Sequence, residues 1–105
     1  MTDELLPENS GKKPVKPRTN DEKQAITNRL KRIEGQVRGI QKMVEEDRYC
    51  VDILVQISAI NKALNKVGYN LMERHTHHCV KGAIQNGDGD EAIEELMKVV
   101  QQFSK

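Results

Sequence analysis

Apolar side chains recur along this chain with helical rather than strand spacing. From residue 19 to residue 45 they fall at Ile26, Leu30, Ile33, Val37, Ile40 and Val44, stepping 4, 3, 4, 3, 4. That is a heptad seam, the pattern of a helix that packs along another helix. The same steps return at Ile53, Ile57, Ile60, Leu64, Val67 and Leu71, where Leu54, Ala59 and Ala63 widen the apolar face. A third, shorter run carries Ile93, Leu96, Val100 and Phe103 on one face. No segment shows the two-residue rhythm of a strand.

Punctuation residues divide these runs. Thr19 and Glu22 have the T-x-x-E spacing of a capping box and predict the start of the first helix. Acidic Glu45-Glu46-Asp47 is unfavourable at a helix C-terminus and favourable at an N-terminus, so Asp47 is expected to cap the second helix. That helix is expected from Cys50 to about Lys81, with Gly68 as its one interruption. Gly87-Asp88-Gly89 is a break that supplies a turn and an N-cap for the third helix. Gly35 and Gly39 lie inside the first helix, cost up to about 1 kcal/mol each relative to Ala, and are expected to admit a close neighbour helix. The predicted fold is all-α. It has two long antiparallel helices and a short C-terminal helix in a domain over residues 19–105. The preceding arm, residues 1–18, holds all three prolines and no apolar period, and reads as disordered.

Composition adds a constraint. The chain has 105 residues, 36% of them hydrophobic, with no Trp and one Phe. A core built from this alone is thin, so a homo-oligomer is expected to complete it. No run approaches the roughly 20 apolar residues of a membrane span. The acidic N-terminus has no apolar signal-like core, so a cytoplasmic protein is expected, with its two cysteines as thiols. Net charge is only +1, yet residues 10–42 carry ten bases and three acids, or +7. Arg29, Lys31, Arg32, Arg38 and Lys42 belong to this basic stretch, which suits a polyanion such as DNA. A solvated helix face is the plainer alternative. There is no helix-turn-helix pattern. An enzyme is not expected either, because no nucleophile–base–orienter set, paired carboxylates or phosphate loop is present.

The candidate chemistry lies at Cys50, His75 and Cys79. His75 and Cys79 are four apart, which places them on one side of a helix. His77 and His78 point elsewhere and read as solvated. Cys50 precedes His75 by 25 residues, so an unbroken helix separates them by roughly 38 Å. One chain cannot bring all three together, whereas two antiparallel copies can, so a shared site spans two subunits. Two thiolates and one imidazole are soft donors that suit three-coordinate Cu(I); structural Zn(II) would need a fourth ligand such as His78 or water. Spacing alone also fits a redox thiol pair or inert buried cysteines.

The run Ile26-Thr27-Asn28-Arg29-Leu30-Lys31-Arg32-Ile33-Glu34-Gly35-Gln36-Val37-Arg38-Gly39-Ile40 resembles the signature of the copper-sensing operon repressor family (CsoR). So do Arg48-Tyr49-Cys50-Val51-Asp52-Ile53-Leu54 and His75-x-His77-His78-Cys79. The resemblance covers residues 21–103. It implies a dimer of dimers that binds operator DNA upstream of copper-efflux and copper-chaperone genes and loses DNA affinity on binding Cu(I). It implies Cys50, His75 and Cys79 as copper ligands, with Cys50 from the partner subunit. It further implies Tyr49 and Glu95 as residues that couple His75 to the third helix, and Arg29 and Lys66 as DNA contacts. Relatives of the same fold sense nickel or cobalt, formaldehyde, or persulfide. Both thiols together with His75, and no histidine before it, point to copper. A persulfide or redox sensor of this fold and a cytosolic copper buffer are the rival expectations.

Overall fold

Helix α1, Asn20–Glu45, starts where the capping box predicts. The Thr19 hydroxyl accepts from the Glu22 N–H at 3.1 Å, and the Glu22 carboxylate accepts from the Thr19 N–H at 2.9 Å. The computed structural model describes residues 11–104. Its remaining helices are α2, Cys50–His75, a π-helical turn Thr76–Val80, α3, Lys81–Gln85, and α4, Gly89–Phe103. No strand occurs among the described residues.

Asp47 ends α1 instead of capping α2. Its N–H donates to the Val44 carbonyl at 3.1 Å, and the Arg48 N–H donates to the Met43 carbonyl at 2.9 Å. These paired bonds satisfy the last carbonyls of α1 in a Schellman motif, which needs a left-handed residue at this point. Asp47 takes that conformation, with φ 54°. Aspartate is among the few side chains that tolerate it. Tyr49, not Asp47, immediately precedes α2.

Residues 18–72 form one compact unit, holding α1 and most of α2. Ile33, Ile60 and Val67 are buried at its centre, with Ile26, Ile40, Ala63 and Leu71 packed against them. Alternate positions of the α1 seam go inward, and on α2 Ile60, Val67 and Leu71 do so. Leu30, Val37 and Val44 on α1 remain exposed, as do Leu54, Ile57 and Leu64 on α2. Two antiparallel helices share a single line of contact, while a heptad stripe is wide enough to serve two neighbours. Part of each stripe therefore stays exposed among the described residues. Among the described residues no helix closes on Gly35 or Gly39: a Cβ at either would meet nothing within 4 Å.

The second helical run differs from the expected uninterrupted helix. After His75 the backbone widens into the π turn and then continues as α3 to Gln85, beyond the expected end near Lys81. No Pro or Gly marks the widening. The run stops in a second Schellman motif, with Gly87 at φ 90°, Asp88 N–H donating to the Ala83 carbonyl at 2.8 Å and Gly87 N–H to the Ile84 carbonyl at 3.3 Å. Asp88 stands at the N-cap of α4 without a side-chain capping bond. Residues 73–104, with the described part of the arm through Pro17, form the other compact unit. There α4 packs against α3 and the π turn, and Val80 is buried.

Residues 11–17 are non-helical and make specific contacts. The Lys12 ammonium pairs with the Glu95 carboxylate at 2.9 Å. The Arg74 guanidinium donates to the carbonyls of Lys16 at 2.9 Å and Pro17 at 3.1 Å. The first ten residues of the expected arm lie outside the described residues. No helix among the described residues is long and apolar enough to cross a membrane.

Candidate functional site

His75 is the last residue of α2, and Cys79 sits in the π turn that follows. Both are half-buried. In an α-helix four residues overshoot one turn by about 40°. The wider π turn takes that overshoot back, so the imidazole and thiol still belong to one side of the run. π turns inside helices are frequent at functional sites, and this widening falls between the two candidate donors His75 and Cys79.

Cys50 is exposed at the first residue of α2, so one 26-residue helix carries a thiol at its start and the histidine at its end. Both thiols are free. Among the described residues no three His, Cys, Asp or Glu side chains gather to hold a metal ion. His77 is exposed, in keeping with a solvated residue, whereas His78 is half-buried.

Tyr49 is 70% exposed in the turn before α2. Glu95 is half-buried on α4, where its carboxylate accepts from Lys12. That hydrogen bond and the carboxylate charge hold the Lys12 ammonium above the usual lysine range. Sequence reasoning missed Lys12 and Arg74. Nothing distinguishes Lys12 from the other bases of the arm, and the partners of Arg74 are backbone carbonyls, which leave no residue signature.

Arg29, Lys31, Arg32 and Arg38 are exposed on α1, and Lys66 is exposed on α2. Arg38 approaches Glu34 at 4.0 Å, with both side chains largely in water. Such a pair contributes little and leaves the guanidinium available.

Residues 22–102 match the model of a family described as metal-sensitive transcriptional repressors. The chain is 60% identical, over 93 residues, to the copper-sensing transcriptional repressor CsoR of Bacillus subtilis (strain 168); this covers 89% of this chain and 92% of that one. It is 52% identical over 66 residues to the copper-sensing transcriptional repressor RicR of Mycobacterium tuberculosis, covering 63% and 69% of the two chains. The crystal structure of the copper-sensing repressor CsoR with Cu(I) from Geobacillus thermodenitrificans superposes with a TM-score of 0.82 at 60% identity, over 88% of this chain and 96% of that one. The nickel-responsive transcriptional regulator InrS superposes with a TM-score of 0.64 at 35% identity, over 76% and 90%.

Proposed function

This chain belongs to the metal-sensitive transcriptional repressors, and from that premise we propose that it is a Cu(I)-responsive repressor that holds operator DNA without metal and releases it when Cu(I) binds. The observation that carries this reading is the donor set. A soft thiol at the first residue of α2 and a soft imidazole–thiol pair at its far end are what a cuprous ion shared between two protomers requires. The likeness to proteins named as copper-sensing repressors supports the choice of metal. Cys50 of one protomer with His75 and Cys79 of another are the proposed ligands, two sites to each twofold dimer, and a dimer of dimers is the proposed assembly. Tyr49 and Glu95 are proposed to tie His75 to α4. The basic side chains Arg29, Lys31, Arg32, Arg38 and Lys66 are proposed to face DNA. We place the protein in the cytoplasm, without catalytic activity, with residues 1–18 as an arm and residues 19–105 as the sensing and DNA-binding domain.

Cys50, His75 and Cys79 would hold the Cu(I), which would supply strong thiolate bonding. The chain's own part is to let that bonding favour a shape poorly suited to DNA. Each tenfold loss of DNA affinity needs about 1.4 kcal/mol of differential binding, so thousandfold release needs about 4 kcal/mol. The direct test is binding of reduced protein to promoter fragments with and without Cu(I), repeated with Zn(II) and Ni(II). Release by Cu(I) alone is expected. Equal release by Ni(II), or no sequence-selective complex at all, refutes the reading. The exposed Cys50 thiol favours one alternative, a persulfide sensor that joins Cys50 and Cys79 across protomers. Weak Cu(I) binding against a competing chelator, with ready persulfide cross-linking, would select it.

A further inference from the structure

The turn between α3 and α4 sets an electrophile beside an unhindered nucleophile. Of the chain's asparagines, Asn86 alone is followed by glycine. An asparagine carboxamide is a weak electrophile, and the next backbone nitrogen is the nucleophile bonded closest to it. A glycine there puts no side chain in the way of attack. Asn86 and Gly87 are both exposed, so water reaches the pair. Asn20, Asn28, Asn61, Asn65 and Asn70 lie instead within α1 and α2, each before a larger residue. The fold also restrains the pair. Asn86 has ψ 4°, and attack requires the Gly87 nitrogen to swing by about 120° about the Cα–C bond, into line with the Asn86 Cβ. The Gly87 N–H donates to the Ile84 carbonyl at 3.3 Å, and the Asp88 N–H to the Ala83 carbonyl at 2.8 Å. Both bonds must open for that swing. The packing has little slack, because a Cβ on Gly89 would fall 2.7 Å from Ile84 Cγ1 and 3.1 Å from Ile84 Cα.

We propose that Asn86 is a deamidation site gated by this turn, and that its isoaspartyl product unseats α4 from α3. The Gly87 nitrogen bonds to Asn86 Cγ and gives up its proton. The Cγ–Nδ2 bond breaks, and Nδ2 leaves as ammonia with that proton, closing a five-membered imide. Water then adds to the imide. Breaking the Cγ–N bond gives an ordinary aspartate. Breaking the bond from the Asn86 backbone carbonyl carbon to the same nitrogen gives isoaspartate, whose chain runs through Cβ and Cγ and is one methylene longer. Water is the sole co-reactant, and nothing is oxidised or reduced. The longer link does not keep both the Asp88–Ala83 bond and the seating of Gly89 on Ile84. Glu95 lies on α4, so conversion acts on the helix proposed to be tied to His75. The site itself does not depend on the repressor reading.

The test incubates the full-length reduced protein without metal in mildly alkaline buffer, beside the same protein unfolded in guanidinium. Peptide masses are read after an acid quench. Deamidation exchanges an amide NH2 for OH, a gain of about 1 Da. Asp88-Gly89 can rearrange through the same imide, but it loses and regains water, so its mass is unchanged and the gain reports Asn86. Conversion at Asn86 should be slower in the folded protein by about tenfold or more, because only the locally opened turn reacts. Gly89→Ala, which crowds Ile84, should speed it severalfold, and Asn86→Gln should remove the gain. The isolated isoaspartyl form should lose about 4–8 °C of thermal midpoint. Asn86→Asp, with the same charge on an ordinary backbone, should melt as the wild type does. No gain at Asn86 in the folded protein overturns the site. Equal rates folded and unfolded, or an unchanged rate in Gly89→Ala, overturn the gate. An isoaspartyl form that melts with Asn86→Asp overturns the unseating of α4.

Discussion

Replacing Leu64 by Ala asks whether the exposed half of the heptad stripe is buried in the working protein. Ile60 and Leu64 occupy neighbouring seam positions on α2, yet Ile60 is 7% exposed in the protomer and Leu64 is 43% exposed. Truncating a fully buried Ile or Leu to Ala costs about 2–5 kcal/mol. Ile60→Ala should show that whole cost, a midpoint loss on the order of 10–30 °C for a domain of this size. In a lone protomer Leu64→Ala removes a side chain that is already partly in water, so its cost should be about half as large. If a second copy covers Leu30, Val37, Ile57 and Leu64, the two costs become equal, and the Leu64→Ala loss grows on dilution because the association is weakened. Thermal and urea unfolding at two protein concentrations, with sedimentation to follow assembly, separate the cases. A Leu64→Ala shift that stays near half that of Ile60→Ala at both concentrations would falsify the burial of this stripe between copies.

Three further outcomes follow from the geometry. Gly89→Ala should destabilise despite the better helix propensity of Ala, by about 1–3 kcal/mol, because its Cβ would fall 2.7 Å from Ile84 Cγ1 and 3.1 Å from Ile84 Cα; a raised melting midpoint would contradict the close packing of α4 on α3. His75→Ala should retain Cu(I) on two thiolates while weakening its effect on DNA, and a variant released by copper as fully as the wild type excludes the coupling role of His75. Lys12 carries a raised pKa, so its pairing with Glu95 is present below the ordinary lysine range and is lost as pH rises through the higher folded value; arm amide signals that stay unchanged through that alkaline window refute the pairing.

The helices, their antiparallel order and the first cap were legible because each rests on local rules. The heptad steps from Ile26 to Leu71, the Thr19–Glu22 pair and the Gly87-Asp88-Gly89 break act within a few residues of themselves. The candidate donors were proposed from residue type and spacing alone, and Cys50 stands at the first residue of α2, His75 at its last and Cys79 in the turn that follows. A heptad stripe announces that apolar residues want cover, but not how many neighbours supply it, so the exposure of Leu30 and Leu64 beside buried Ile33 and Ile60 required the packed hairpin. The π turn at Thr76–Val80 contains no Pro or Gly to announce it, and no residue type encodes it. The pairing of Lys12 with Glu95 spans 83 residues. Tertiary structure alone decides such a pairing, because only the folded path of the chain determines which of many exposed charges meet.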